Sequence, residues 1–261
     1  MTKDTAHELG LLAMQSLPRE LYVRQETMPA GHFFPPHRHD WHQLLYAVSG
    51  VLVVDLIGER YFIPPEQAIW LPRGCQHSVY TEYGAELKSL YLEADYQGLT
   101  SEKATVLQVT PLFRELILTA AAFAVEYPIQ GYENDLIQLL LQTLERLERN
   151  DRYLPWPVSA DLISLCNGLY EQSDSSATSE QLAAELAVSL RTLDRRFRRE
   201  TGMSVKQWRL QLRLMQAIEL LNTGQSITAI ALELGYSSPS PFIYMFREQF
   251  GVSPAQYRKQ K

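Results

Sequence analysis

A chain of 261 residues with 46% hydrophobic content suits two domains with packed cores. No apolar run reaches the roughly 18 residues that a membrane helix needs. Met1–Gln15 lacks the basic flank and apolar core of a secretory signal, and Cys75 and Cys166 are too few for a disulfide framework, so a cytoplasmic location is expected. The formal charge of −6 is unevenly spread: residues 175–261 carry 12 Lys+Arg against 7 Asp+Glu, whereas residues 1–174 carry 12 against 23. A basic end on an acidic body confines attraction for phosphate to one domain.

Between Arg24 and Leu92, short apolar runs alternate with turn residues. Leu44–Val48, Val51–Ile57, Tyr61–Ile63, Ala68–Leu71, His77–Tyr80 and Leu87–Leu92 read as strands, separated at Gly50, Gly58–Glu59, Pro64–Pro65, Pro72–Gly74 and Tyr83–Gly84. Evenly spaced short strands indicate a sandwich or small barrel. Helical periodicity follows. Thr110 and Pro111 open a helix over Leu112–Glu126, and a second runs from Glu133 to Arg149, with Leu136, Leu140, Leu144 and Leu147 on one stripe. That stripe suits either a partner helix in a homodimer or the chain's own barrel. The segment Asn150–Pro157, with two prolines, marks a boundary, and Val158–Gln172 reads as a helix before the polar stretch Ser173–Ser179. The predicted domains are 1–108, 109–153 and 154–261.

The last third repeats itself. Ala183, Glu185, Leu186 and Ser189 match Ala231, Glu233, Leu234 and Ser237 at an offset of 48; Leu193, Phe197, Arg198, Gly202, Ser204 and Trp208 match Phe242, Phe246, Arg247, Gly251, Ser253 and Tyr257 at 49. Each copy reads as a short helix, a turn and a second helix: Glu180–Leu186 with Leu190–Glu200, and Ile227–Leu234 with Pro239–Phe250. Val205–Asn222 joins them as a long helix, and Ser189, Ser204 and Ser226 stand where caps belong. Leu193 and Phe197 at core spacing leave Arg191, Thr192, Arg195 and Arg199 outward. In the second copy Phe242, Phe246 and Phe250 face in, leaving Ser240, Ile243, Tyr244 and Arg247 outward.

The string from Gly235 to Arg258, with its Phe-rich helix and the tail Phe250-Gly-Val-Ser-Pro-Ala-Gln-Tyr-Arg258, resembles the signature of AraC/XylS-type transcription regulators. The resemblance implies two helices in successive major grooves of promoter DNA. Arg191, Thr192 and Arg195, and Pro239, Ser240 and Tyr244, would then face base edges, with Arg199, Arg247 and Arg258 on phosphates.

Five of the six histidines, His32, His37, His39, His42 and His77, lie in the strand-rich half. The order Gly31, His37, His39, Gln43, Gly50, then Pro72, Gly74, His77 resembles the two motifs of cupin barrels. Gln43 stands where metal-binding cupins have Glu, Glu66 where the second motif opens on Gly, and Thr81 where it closes on Asn. His37 and His39, two apart on one strand, would project to the same side, with His77 on a neighbouring strand and Gln43 lending a weak oxygen. Such a set suits zinc, nickel, copper or iron. The same imidazoles could instead bond one another, Gln43 or an effector. Tyr46, Trp70 and Trp41 are candidate walls of an effector pocket.

The expected fold class is α+β: an N-terminal cupin-like barrel with a helical dimerisation segment, then an all-α domain of two helix-turn-helix units joined by a long helix. The expected function is a cytoplasmic, dimeric, non-enzymatic transcription regulator. Its barrel would sense a small molecule or metal, and its helices would grip promoter DNA, with RNA polymerase a further partner. The alternative is a metal-dependent cupin enzyme with a helical appendage.

Overall fold

The computed structural model describes residues 7–11, 14–99, 101–149, 154–171 and 177–259. Residues 150–153 of the expected domain boundary, and 172–176 of the end of the third expected helix and the polar stretch beyond it, lie outside them. Two compact units emerge. One gathers residues up to Ile57 and Tyr61–Tyr153; the other gathers Leu154–Lys261 with Gly58–Arg60. The α+β class holds, with the sheets in the first unit and the helix-turn-helix units in the second.

The strands, in chain order, are β1 (His7–Glu8), β2 (Leu21–Met28), β3 (His32–His37), β4 (His42–Gly50), β5 (Leu52–Leu56), β6 (Glu59–Ile63), β7 (Gln67–Leu71), β8 (His77–Tyr80), β9 (Ala85–Leu92) and β10 (Thr105–Gln108). They form two five-stranded sheets, ordered β1-β3-β8-β5-β6 and β10-β7-β4-β9-β2. Period-two alternation sorts each strand between two cores. Leu45, Ala47, Ile69, Leu71 and Leu87 join Phe34, Val54 and Val79 between the sheets, while Leu44, Tyr46, Ala68, Trp70 and Leu90 face the opposite way. Gly50 ends β4 against the turn at Gly84: a Cβ there would fall 2.1 Å from the Gly84 carbonyl oxygen, so no larger residue fits.

Helices α1 (Pro111–Ala120) and α2 (Tyr132–Leu144) cover the outer face of the second sheet. Thr110 caps α1 by accepting from the Phe113 amide at 3.2 Å. Both helices stop short of their expected ends. After Ala120 the chain turns, and Arg19 grips the carbonyls of Val125 (3.1 Å) and Tyr127 (2.9 Å). After Leu144 it turns again and bonds along β10, the Gln108 amide donating to Glu148 at 2.8 Å. The Leu140, Leu144 and Leu147 stripe packs on Leu44, Tyr46 and Trp70. Each such leucine contributes about 1.5–3 kcal/mol by leaving water. The stripe therefore serves the chain's own sheet.

The second unit comprises α3 (Ala160–Glu171), α4 (Ser179–Glu185), α5 (Leu190–Thr201), α6 (Val205–Leu221), α7 (Ile227–Glu233), α8 (Pro239–Phe250) and α9 (Pro254–Lys259). Every residue of α6 from Leu214 to Leu221 is buried, as befits a helix wedged between two others. The sequence repeat is also a packing repeat. Phe197 meets Trp208 at 5.9 Å and 69°, and their counterparts Phe246 and Tyr257 meet at 5.4 Å and 75°. Both are edge-on contacts, the geometry aromatic pairs prefer. Gly202 and Gly251 end α5 and α8 alike, each in the left-handed region with its amide returned to the Arg198 or Arg247 carbonyl.

Candidate functional site

The helix pairs α4–α5 and α7–α8 are built from local signals. Thr178 caps α4 with a reciprocal bond to Gln181. Ser189 caps α5 by accepting from Thr192 at 3.2 Å, and Ser226 caps α7 from Ala229 at 3.1 Å. Ser238 precedes α8 but accepts nothing, because the third residue of that helix is Pro241, which has no amide hydrogen to give.

Burial of Leu193 and Phe197 turns Arg191, Arg195 and Arg199 to solvent along one face of α5. Thr192 is half-buried, its hydroxyl 3.0 Å from Ser189 Oγ. Two neighbouring charges serve the scaffold instead. Arg196 pairs with Asp161 of α3 at 2.6 Å, and Asp194 accepts from the Val205 amide at 3.0 Å, joining α5 to α6. Arg199 also pairs with Glu200 at 3.0 Å. That carboxylate, 5% exposed, accepts from the Val158 and Ser159 amides ahead of α3. Burial opposes its charge, yet the Ser159 hydroxyl and amide, Arg199 and the Val158 amide prevail and hold its pKa at about 2.

On α8, Ser240, Tyr244 and Arg247 are exposed, Tyr244 by 69%, while Pro239 and Ile243 are half-buried. Arg258, expected on phosphate, donates to the Gln225 carbonyl at 2.6 Å and so fastens α9 to the loop before α7.

The other candidate lies inside the sheet unit. His37 and His77 are direct register partners across β3 and β8, with ring centroids 4.3 Å apart. His39 is not on the strand, as the spacing suggested, but in the loop beyond it. Its Nδ1 bonds the Trp41 carbonyl at 2.8 Å, which turns the ring inward. His37 Nδ1 and His77 Nδ1 likewise bond the carbonyls of Pro35 (2.8 Å) and Cys75 (3.0 Å). A carbonyl only accepts, so each Nδ1 carries a proton; the Nε2 atoms of His37 and His77 keep a lone pair, whereas that of His39 faces an amide oxygen of Gln43, also an acceptor.

One ligand nitrogen from each ring falls within a 4.8 Å cluster. Gln43 Oε1 stands 2.9 Å from His39 Nε2, and its amide nitrogen donates to Ser89 at 3.1 Å. His77 is 1% exposed, and its Nε2 has no hydrogen-bond partner among the described residues. Burial first, and then the neighbouring rings, push its pKa down to about 3 against the Cys75 carbonyl; burial lowers that of His37 too. His37 and His77 are therefore neutral imidazoles at neutral pH, the form that ligates metal.

A chamber of about 400 Å³ adjoins the cluster, walled by Phe34, Leu45, Val79 and Leu87 and edged by Arg24, Glu26 and Tyr91. Trp41 lines it; Tyr46 and Trp70 do not. Both of those project from the helix side of their strands. Tyr46 accepts from Arg114 of α1 at 3.0 Å, and Trp70 stacks on His42 at 5.0 Å. Their assignment to an effector pocket is corrected by strand alternation, which brings Gln43, Leu45 and Ser89 inward instead. The spacing of Arg24, Glu26 and Tyr91 carried no signal that singled them out.

Residues 22–187 match the family described as AraC-like ligand binding domain, and residues 182–260 match a helix-turn-helix domain. The HTH-type transcriptional regulator NimR of Escherichia coli is 31% identical over 223 residues, covering 85% of this chain and 81% of its own length. The HTH-type transcriptional activator RhaS of Escherichia fergusonii is 27% identical, with 90% and 91% covered. Among solved structures, the DNA-binding domain of AdpA in complex with a target DNA is 38% identical, covering 39% of this chain and 93% of that one, with a TM-score of 0.38.

Proposed function

The chain belongs to the AraC family of DNA-binding transcription regulators, and from that premise we propose that a small molecule or divalent metal in the sheet unit sets its output at promoters. One observation carries this reading: two similarly packed helix-turn-helix units each turn an exposed face outward, and a histidine-lined chamber sits in the family's ligand-binding region. Arg191, Thr192 and Arg195 on α5, and Pro239, Ser240 and Tyr244 on α8, read base edges; Arg199 and Arg247 hold phosphates.

His37, His39 and His77 would hold the metal, with Gln43 beside them. Zinc, nickel, copper and iron all suit three imidazoles. The carbonyl-tethered Nδ1 atoms and the unpartnered His77 Nε2 fit such an ion. When bound, it supplies a Lewis-acid centre for a ligand atom.

We assign the protein to the cytoplasm as a homodimer; among the described residues no helix is long and apolar enough to cross a membrane. With the leucine stripe used internally, Tyr132 and Leu139 are the large apolar residues left exposed on α2 for a second copy, and RNA polymerase is the further partner at the promoter. The enzyme reading draws on the imidazoles alone, and the relatives are regulators.

Gel retardation with the DNA upstream of the chain's own gene, across a salt series, tests the DNA reading. Affinity should fall steeply with salt, and Arg195→Ala should cost about 1–3 kcal/mol on that DNA but little on random DNA. Unretarded DNA at low salt would overturn the reading.

A further inference from the structure

The imidazole cluster contains no negative charge. Among the described residues, no carboxylate or thiol joins the three rings within the 4.8 Å cluster. A side-chain oxygen bonded to the cluster is that of the Gln43 amide, 3% exposed and held between His39 and Ser89. Two carboxylates line the chamber outside the cluster: Glu26, paired with Arg24 at 2.5 Å, and the solvent-exposed Asp40. A dication held by three imidazoles and an amide gains no neutralising charge from its ligands, and next to the buried His77 and Gln43 an uncompensated charge is costly. Three protein ligands also leave a tetrahedral ion one position to fill. All three histidines line the chamber, and about 400 Å³ accommodates a molecule of modest size.

We propose that the effector is a small carboxylate whose oxygen takes the remaining metal position, with its carbon skeleton against Phe34, Leu45, Val79 and Leu87. This rests on the metal reading above. Gln43 is then the specificity-determining residue. A glutamate there would neutralise the ion from within and remove the reason to admit an anion; the amide leaves that charge for the ligand to supply. The protein's own contribution is otherwise positional, with three tethered rings and an apolar wall.

The test uses the full chain with Co²⁺ as a spectroscopic probe, since its visible absorption reports coordination. Benzoate and azide serve as anions, and benzamide as a neutral molecule shaped like benzoate. Wild-type protein should bind Co²⁺ in His37- and His77-dependent fashion, its bands moving saturably with benzoate and azide but not with benzamide. Gln43→Glu should still bind Co²⁺ while needing at least about tenfold more anion for the same change, a loss of about 1.4 kcal/mol in anion affinity. Bands that ignore both anions, or that move equally in Gln43→Glu, would overturn the proposal and leave the metal reading standing. No cobalt bands in folded wild-type protein would remove the metal reading itself.

Discussion

The two helix-turn-helix units share a skeleton and differ in nearly everything the skeleton presents. Phe197 against Trp208 and Phe246 against Tyr257 are the same contact made twice, and Gly202 and Gly251 end the two outer helices in the same way. Yet α5 carries Arg191, Arg195, Arg196, Arg198 and Arg199, while α8 carries Arg247 and otherwise offers Ser240, Tyr244 and prolines. Duplication kept the interior, where volume is constrained, and released the surface. Under the proposed DNA reading, the charge-rich unit would hold phosphates and reach guanine, and the other would make hydroxyl and apolar contacts, such as those to thymine methyls.

The largest effects should come from the shared interior. Phe246→Ala and Phe197→Ala should each cost about 3–5 kcal/mol in denaturant unfolding, through the cavities left behind. Equal losses would sharpen the likeness, and a wide gap would break it.

Next comes an acid found in one unit alone. Glu200 holds the start of α3, and its position in the second repeat is Gln249. Hydrogen bonds to a charged group contribute about 1.5–3 kcal/mol, so Glu200→Gln should cost about that at pH 6. Because the folded pKa is depressed to about 2, the stability is fully present above the ordinary carboxylate pKa and lost as pH falls toward 2. The difference between wild type and Glu200→Gln should therefore shrink between about pH 4.5 and 2. A constant difference across that window would show that the carboxylate charge is not what holds α3.

The turns supply a smaller contrast. Gly235 has φ 79°, and the same place in the first unit is filled by Ala187 at φ 52°. An L side chain there costs about 1–2 kcal/mol, partly offset by the greater chain freedom of an unfolded glycine. Gly235→Ala should thus lower stability by roughly 0.5–1.5 kcal/mol, and Ala187→Gly should raise it by a similar or smaller amount. Two changes of the same sign would sink this account.

The smallest pair concerns caps. Ser189→Ala should cost about 1 kcal/mol, whereas Ser238→Ala should be close to neutral, since Pro241 leaves its hydroxyl without a donor. Helicity and melting temperature of the two variants decide it.

These contrasts also explain what could be read from the residues alone. The repeat, its caps at Ser189, Ser204 and Ser226, and the span of α8 were legible because capping and apolar periodicity act over a few neighbouring positions. β3 was not, since Pro35 and Pro36 interrupt it where its register with β8 shifts. The ends of α1 and α2 are set by Arg19 and by β10, distant in sequence and invisible to periodicity. His37, His39 and His77 were identified as a set and the structure gathers them, but His39 arrives by a loop and not by strand alternation. The pocket walls were misjudged at Tyr46 and Trp70, because aromatic character says nothing about which side of a sheet a residue occupies.

β4 belongs to two neighbourhoods at once. Gln43 hangs on one side of its backbone, above the chamber, and three residues on Tyr46 hangs on the other, with its hydroxyl on Arg114. One extended peptide is thus a party wall: no more than the thickness of a single strand separates the chamber from the helical layer.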